Sequence, residues 1–239
     1  MKKSFSVTNL LPIYVVAFSV LLLLAHGGSK AVSVLTEKAP VLHRKVVVID
    51  PGHGGVDGGA TSCTGVLESN INLEISLRLN DLLHLLGSET VLIRDTDRSV
   101  YTQGTTIAQK KISDLKQRVK IVNEQEDALL VSIHQNHFTD GKYYGPQVFY
   151  SREEGSAELA RAMQKALSEN LCPESKRKAK TAEDVYLIKN INCTALLIEC
   201  GFISNPEEEA KLRDADYQKE LSCVIAAVCG NYLNRSSMS

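Results

Sequence analysis

Short apolar runs that alternate with amphipathic helical segments constrain the fold of this chain more than any other feature. The runs VVVID at 46–50, ALLVSI at 128–133 and ALLIE at 195–199 are rich in aliphatic residues and too short for helices. Between them apolar residues recur at helical spacing, as at 70–86. Strands separated by helices form a mostly parallel sheet. We therefore predict a single α/β domain with a mostly parallel central sheet flanked by helices on both faces.

The other elements follow from the same two periodicities and from glycine and proline positions. Strands are predicted at 45–50, 90–94, 128–133, 147–150, 185–188 and 195–199, and helices at 70–86, 112–123, 157–171, 206–213 and 217–232. The stretch 95–110 is polar and loop-like. The folded domain is expected to span residues 45–233, followed by a tail at 234–239.

The N-terminus differs in character from this domain. Lys2 and Lys3 precede a continuous apolar stretch at 10–25, whose length lies between a signal-peptide core and a spanning helix of roughly twenty residues. The basic start favours export over a buried core helix. Residues 25–27 match a small-x-small cleavage site poorly, which favours an uncleaved anchor over a cleaved signal. We predict a signal peptide or membrane anchor at 1–26, a linker at 27–44, and a folded domain outside the cytoplasm.

Charge and composition exclude some classes of partner. The 27 basic and 28 acidic residues give a net charge of −1, which argues against nucleic acid. Tryptophan is absent and aromatic residues make up 5%, which disfavours a module built mainly from sugar-stacking platforms. The six cysteines match no disulfide framework, and most are interpreted as small buried apolar residues. Their oxidation state is left open.

Titratable side chains gather where the predicted strands end. His53 follows strand 45–50, His134 follows 128–133, and Glu199 ends 195–199. Glu68 lies just before the long helix. Ligands of open parallel sheets bind beyond the carboxyl ends of the strands. Two imidazoles and two carboxylates at this edge are typical of a metal hydrolase, in which zinc has three protein ligands and a further carboxylate acts as general base.

Each of these residues also has a purely structural interpretation. His53 could be a turn residue, although its glycine neighbours favour close approach to an ion or substrate. Glu68 could stabilise a helix start through the dipole, and His134 could be a core histidine. His137 competes with His134 as a ligand. An unpaired carboxylate is costly to bury, which favours a functional Glu199.

A rival chemistry uses Cys200 as a nucleophile with His134. Adjacent strand residues point to opposite faces, so Glu199 and Cys200 are not expected to share a site. No other sequence feature activates the thiol, and this hypothesis is the weaker one.

Taken together, the motifs resemble the zinc-dependent N-acetylmuramoyl-L-alanine amidases of the amidase type 3 family over nearly all of 45–233. The matching segments are VVVIDPGHGGVDGGA, the Glu of GVLESN, VLIRDTD, QRVKIVN, LLVSIHQN and ALLIECGFISNPEE. The resemblance implies Zn²⁺ held by His53, Glu68 and His134, with Glu199 as the catalytic carboxylate and peptidoglycan as the substrate.

The same resemblance assigns supporting roles and leaves alternatives. Arg118 and Asn123 fall on a recurrent Arg and Asn of the family, with a structural or site-supporting role. His137 stands where relatives usually carry a small residue, so it remains a competing ligand candidate. A catalytically silent peptidoglycan-binding protein and a zinc peptidase acting within the stem peptide remain as alternatives.

Within the family, the short N-terminal anchor, the absence of wall-binding repeats and the segments YYGPQVFYS and KRKAK resemble the sporulation amidases of spore-forming bacteria. That likeness implies muramic-δ-lactam formation in the spore cortex, which germination requires. It places the protein in the space around the forespore, attached through its N-terminal segment or secreted. An envelope accessory protein of unknown identity is a further expected partner.

Overall fold

A computed structural model describes residues 45–236 of the 239-residue chain. The predicted N-terminal segment 1–26, the linker 27–44 and residues 237–239 of the predicted tail lie outside the described residues. The strands are β1 (Val46–Pro51), β2 (Thr90–Leu92), β3 (Ala128–Asn136), β4 (Gln147–Tyr150), β5 (Lys180–Thr181) and β6 (Thr194–Phe202). The helices are α1 (Glu68–Leu85), α2 (Ile107–Asn123), α3 (Ser156–Leu171), α4 (Tyr186–Asn190), α5 (Pro206–Leu212) and α6 (Ala215–Ser236).

The strands form one six-stranded sheet in the order β2-β1-β3-β6-β4-β5. Strands β2, β1, β3 and β6 are parallel to one another, whereas β4 is antiparallel to β6 and parallel to β5. The predicted single α/β domain with a mostly parallel sheet is confirmed. Because β1, β3 and β6 are adjacent, their carboxyl ends meet at the middle of one sheet edge.

Successive strand residues enter two different cores, as the two-residue period of a strand requires. Val47 and Ile49 pack into a core with helices α1, α3, α5 and α6, whereas Val48 packs with α2 and α4 on the other face. The helices on both faces are therefore confirmed. None of the described helices has both the length and the hydrophobicity needed to cross a membrane.

Helix α1 connects the core to the carboxyl edge of the sheet. Its residues Ile71, Ile75, Leu79 and Leu83 recur every four positions and are almost fully buried. Burying such side chains contributes about 1.5–3 kcal/mol each. This stripe fixes the helix against the sheet, so that its first residue, Glu68, lies at the edge where β1 and β3 end.

The sequence prediction fails at 185–188 and at the start of helix α2, and it does not include the two-residue strand β5. The predicted strand at 185–188 is wrong, because these residues lead into helix α4, which buries Leu187 and Ile188 against the second core. A short apolar run does not distinguish a strand from a buried helical turn. Helix α2 starts at Ile107, inside the predicted loop, because Thr106 and Gln109 form a capping box.

The cysteines are all free. Cys172, Cys200 and Cys229 are buried, as small apolar residues, whereas Cys63 and Cys223 are exposed. The interpretation as buried residues therefore holds for half of them.

Candidate active site

His53 stands in a tight turn directly after β1. Its backbone has φ of 60°, in the left-handed region that non-glycine residues rarely adopt. Its Nδ1 lies 3.0 Å from Oδ2 of Asp57, and its Nε2 lies 3.3 Å from Oε2 of Glu68. Burial lowers the pKa of His53, but the hydrogen bonds with Asp57 and Glu68 outweigh it and raise the pKa to about 9. The ring is thus oriented by two carboxylates.

Glu68, the first residue of α1, is buried and shared between the two histidines. Its Oε1 lies 3.0 Å from Nδ1 of His134 and accepts from the backbone N–H of Gln135 at 3.1 Å. Its Oε2 accepts from the N–H of Ala60 at 3.0 Å. Burial raises the pKa of Glu68, yet the His134 and His53 rings outweigh it and hold the pKa well below its ordinary value. The carboxylate is therefore ionised and fixed in place.

His53, Glu68 and His134 converge on one point. One ligand atom from each lies within 4.8 Å of the others, and the two rings are 5.0 Å apart in an edge-to-face arrangement. Two glycines make this approach feasible. A Cβ on Gly52 would lie 2.3 Å from the His134 ring, and one on Gly59, at φ +69°, would lie 2.6 Å from Oε2 of Glu68. The glycines thus leave room for the ligands rather than only for a turn.

Glu199 lies beside this cluster at the end of β6. It is the register partner of His134 across the β3–β6 pair. Its Oε2 is buried and has no hydrogen-bond partner within residues 45–236. Burial, opposed by the charge of His134, raises the pKa of Glu199 to about 7. A carboxyl group with this pKa exchanges protons readily near neutral pH.

Two buried arginines hold the turn that carries His53. Arg118 donates to the carbonyl of His53 at 2.5 Å and forms a buried ion pair with Asp50 of β1. Arg94 is fully buried and donates to the carbonyls of Pro51 at 2.9 Å and Gly52 at 3.0 Å. The backbone of the turn is thereby fixed by side chains from two other segments.

The contacts of Arg118 fit a site-supporting role, whereas those of Asn123 do not. The Asn123 amide donates to the carbonyl of Asn190 at 3.1 Å and accepts from the N–H of Asn192 at 3.2 Å. Asn123 lines a cavity together with Ala128, which is the first residue of β3. This cavity is therefore at the opposite end of the strand from His134. The contacts of Asn123 connect the end of α2 to the end of α4.

The competing candidates lie elsewhere. His137 is exposed beyond the end of β3 and does not belong to the cluster formed by His53, Glu68 and His134. Cys200 is buried in the first core, and burial together with the Glu199 charge raises its pKa far above the ordinary thiol value. The thiol is therefore protonated, and no nucleophilic role is supported.

Sequence reasoning missed Asp57, Arg94 and Asp50. Asp57 follows His53 by four residues and bonds its ring, and such carboxylate partners are frequent beside ligand histidines. Asp50 ends one apolar strand, and Arg94 follows another. A charged side chain that is buried at such a position requires a partner. That requirement was the available signal, although it does not identify the partner.

Comparison with known proteins gives a consistent result. The sequence model of the family described as N-acetylmuramoyl-L-alanine amidase (Amidase_3) matches residues 47–229. The chain is 37% identical over 186 residues to the germination-specific N-acetylmuramoyl-L-alanine amidase of Bacillus subtilis, covering 77% of this chain and 78% of the relative. It is 27% identical over 230 residues to the amidase AmiA of Escherichia coli, covering 77% and 74%.

A solved structure agrees with these sequence relatives. The CwlD amidase of Clostridioides difficile, determined in complex with the GerS lipoprotein, superposes with a TM-score of 0.76 at 36% identity, over 80% of this chain and 98% of that one. The matched family region begins in β1, ends in α6 and includes all four clustered groups. The chain therefore belongs to the Amidase_3 family and is an N-acetylmuramoyl-L-alanine amidase that acts on peptidoglycan.

Proposed function

We propose that this amidase is zinc-dependent, with His53, Glu68 and His134 as the metal ligands and Glu199 as the catalytic carboxylate. The observation that carries the proposal is the convergence of three ligand atoms within 4.8 Å, beside a buried carboxylate oxygen that has no partner within the described chain. The bond cleaved is the amide between the lactyl group of N-acetylmuramic acid and L-alanine.

The donor set fits zinc. Two imidazoles and one carboxylate are a frequent ligand set of catalytic zinc, which keeps a fourth position for water or substrate. Asp57 bonds the second nitrogen of the His53 ring and would keep that ring oriented toward the ion. The glycines at 52 and 59 leave the ligands close enough for one ion.

The side chains of this protein then have separate roles in the reaction. Bound zinc would polarise the scissile carbonyl and lower the pKa of a coordinated water. Glu199 takes a proton from the attacking water and delivers it to the departing amine of L-alanine, a role that requires a pKa near neutrality. Arg118 and Arg94 hold the turn that carries His53 through hydrogen bonds to the carbonyl oxygens of His53 and Pro51.

Mass analysis of digested peptidoglycan tests this reaction. Amidase action releases intact stem peptides with free L-alanine amino termini, whereas a zinc peptidase produces fragments cut within the stem. A catalytically silent binding protein produces neither. Appearance of internal stem fragments alone would contradict the proposed bond specificity.

The cellular role is a separate proposal. The relative from B. subtilis is described as germination-specific, and the similar CwlD structure contains a lipoprotein partner. We propose that this chain contributes to muramic-δ-lactam formation in the spore cortex, around the forespore, by freeing the lactyl carboxyl group that the lactam contains, with a lipoprotein of the envelope as its partner. Cortex from a strain lacking the gene should contain no muramic-δ-lactam, and unchanged lactam content would contradict this role.

The proposed domain layout assigns attachment to the N-terminal segment 1–26, followed by the linker 27–44, the catalytic domain 45–233 and the tail 234–239. Fractionation of sporulating cells tests the attachment. Full-length protein in the membrane pellet supports an uncleaved anchor, whereas a shortened soluble form starting near residue 28 indicates a cleaved signal.

A further inference from the structure

Aromatic rings and basic groups form a patch around the carboxyl ends of β3 and β6, the strands that carry His134 and Glu199. We name it the rim patch, and it consists of Phe138, Lys142, Tyr143, Tyr144, Arg177 and Phe202. Phe138, Tyr143 and Tyr144 are 51%, 38% and 44% exposed, whereas Phe202, on which Tyr143 and Arg177 stack, is 4% exposed. Lys142, Tyr143, Tyr144 and Arg177 line a cavity of about 250 Å³.

Ring contacts connect the patch into one surface. The Phe138 and Tyr143 rings are 4.8 Å apart edge to face, and Tyr143 stacks on Phe202 at 6.1 Å. The Arg177 guanidinium lies 4.7 Å from the Phe202 ring centroid, and the Lys142 ammonium lies 5.5 Å from that of Tyr143. The positive groups thus lie on ring faces, an arrangement that holds a cation in place without neutralising it.

The loop that carries Phe138 and Tyr143 is fixed to the turn after β6 and to helix α5. The N–H of Phe138 donates to Oγ of Ser204 at 3.0 Å, and the Asn205 amide donates to the carbonyl of Tyr143 at 3.1 Å. The buried carboxylate of Glu208 accepts from the N–H groups of Gly145 at 2.8 Å and Phe202 at 2.9 Å. A surface held in this way is preorganised, so a ligand would not have to order it on binding.

The charge of the patch is positive and incompletely compensated. Arg177 donates to the carbonyl of Tyr144 at 3.0 Å and to Oε1 of Gln147 at 3.5 Å, and the charge of the buried Glu208 carboxylate partly compensates it, but its guanidinium forms no ion pair among residues 45–236. Lys176 lines the same cavity and is exposed. Lys142 is paired with Asp140 at 2.6 Å. In a chain of net charge −1, this local excess favours an anionic ligand.

The patch lies within reach of the scissile bond. Phe202 follows Glu199 by three residues on β6, which is about 10 Å along a strand. Arg177 stacks on that ring. About three or four extended peptide units would therefore span the distance from Glu199 to its guanidinium. The peptide attached to the muramic acid is of this length and carries free carboxylates.

We propose that the rim patch, together with the adjacent Lys176, is a subsite for the stem peptide, in which Arg177 and Lys176 bind a peptide carboxylate and the exposed rings pack against its aliphatic parts. This inference rests on the proposed function for the identity of the ligand. An uncharged glycan would use the ring faces but would supply no anion to Arg177 and Lys176, so the peptide side fits the surface better.

Binding of free stem peptide to the full-length zinc-loaded protein tests the subsite by calorimetry. The free peptide lacks the muramoyl amide, so turnover does not interfere. We compare the carboxylate form with the same peptide amidated at its carboxyl groups. The wild type should bind the carboxylate form about tenfold more tightly, which corresponds to one charge-assisted hydrogen bond.

Matched variants locate the effect. Arg177→Gln should reduce the preference for the carboxylate form to less than about threefold. Lys176→Gln changes an exposed side chain, so it cannot disturb the fold, and it should lower the preference in the same direction. Arg161→Gln removes an exposed arginine of α3 outside the rim patch and should leave the preference unchanged.

Three results would overturn the proposal. The first is equal affinity of the wild type for both peptides. The second is an equal loss of the preference for the carboxylate form in Arg161→Gln. The third is binding of peptide-free glycan alone, with no effect of Arg177→Gln. Digestion of peptidoglycan by the same preparations reports on the proposed function separately. Peptide binding without amide cleavage would leave the subsite standing, and cleavage without carboxylate preference would leave only the proposed function standing.

Discussion

Replacement of Glu199 by glutamine should abolish turnover and yet stabilise the metal-free protein at alkaline pH. Glutamine keeps the shape of the side chain but has no charge. The Glu199 carboxyl has a buried oxygen without a partner in the described chain, and burial raises its pKa to about 7. Folding of the wild type therefore opposes the ionisation of this group, and the variant is free of that cost.

The size and sign follow from linkage between protonation and folding. In the unfolded chain the carboxyl titrates near 4.5, and in the folded chain near 7. Below about pH 4.5 the group is protonated in both states and contributes no cost. Between these values the wild type loses stability as pH rises, and above pH 7 the full loss is about 3 kcal/mol at 1.36 kcal/mol per pKa unit. Because Glu199 is partly exposed, a gain of about 1–3 kcal/mol is expected for Glu199→Gln at pH 8.5.

Urea denaturation at 25 °C in the presence of a chelator measures this difference at pH 4.5, 6 and 8.5. Glu169→Gln, which changes an exposed carboxylate of α3, is the matched control and should show no such pH-dependent gain. A constant difference between Glu199→Gln and the wild type across this range would refute the reasoning. So would an alkaline loss of stability in the variant.

Three further predictions concern the cluster and its supports. His134→Ala should lose stoichiometric zinc, measured by elemental analysis after dialysis against a chelator, whereas His137→Ala should keep it; the reverse result would exchange the two assignments. Asp57→Asn should weaken zinc binding about 10–100-fold in a competition titration, because it removes the carboxylate that orients the first histidine, and unchanged affinity would contradict that role. Arg118→Leu should cost about 3–5 kcal/mol of unfolding free energy, since it leaves a buried aspartate unpaired. Arg98→Leu removes an exposed ion pair and should cost less than about 1 kcal/mol. Similar losses in both variants would show that burial of the pair is not decisive.

The parallel core of the sheet was predictable because its strands are buried on both faces and appear as continuous aliphatic runs. The same logic placed His53, His134 and Glu199 at one edge, since parallel strands end together. It failed at 185–188, where burial of Leu187 and Ile188 is achieved by one helical turn instead of a strand. Apolar content reports burial and not backbone geometry.

The supports of the site were less accessible to sequence reasoning. Arg94 donates to carbonyl oxygens, which every residue has, so nothing in the sequence of the acceptors identifies the contact. Asp57 acts through a turn whose shape depends on the positive φ of His53. The rim patch joins Phe138, Arg177 and Phe202 from three separate segments, and their proximity arises only from the tertiary structure.

The residues of the cluster come from distant parts of the sequence, and this affects the order of the steps by which the protein folds. Glu68 and His134 are separated by 66 residues, and Glu199 belongs to a third segment. No local hairpin or single helix of this protein holds two of these groups, so closing the cluster requires long loops to be ordered first. Capture of the proposed zinc would therefore be a late step that follows pairing of β1, β3 and β6. If the proposed export passes the chain through a translocation channel in unfolded form, the chain would arrive without the metal, and the zinc supply of the compartment in which it folds would set how much active enzyme forms.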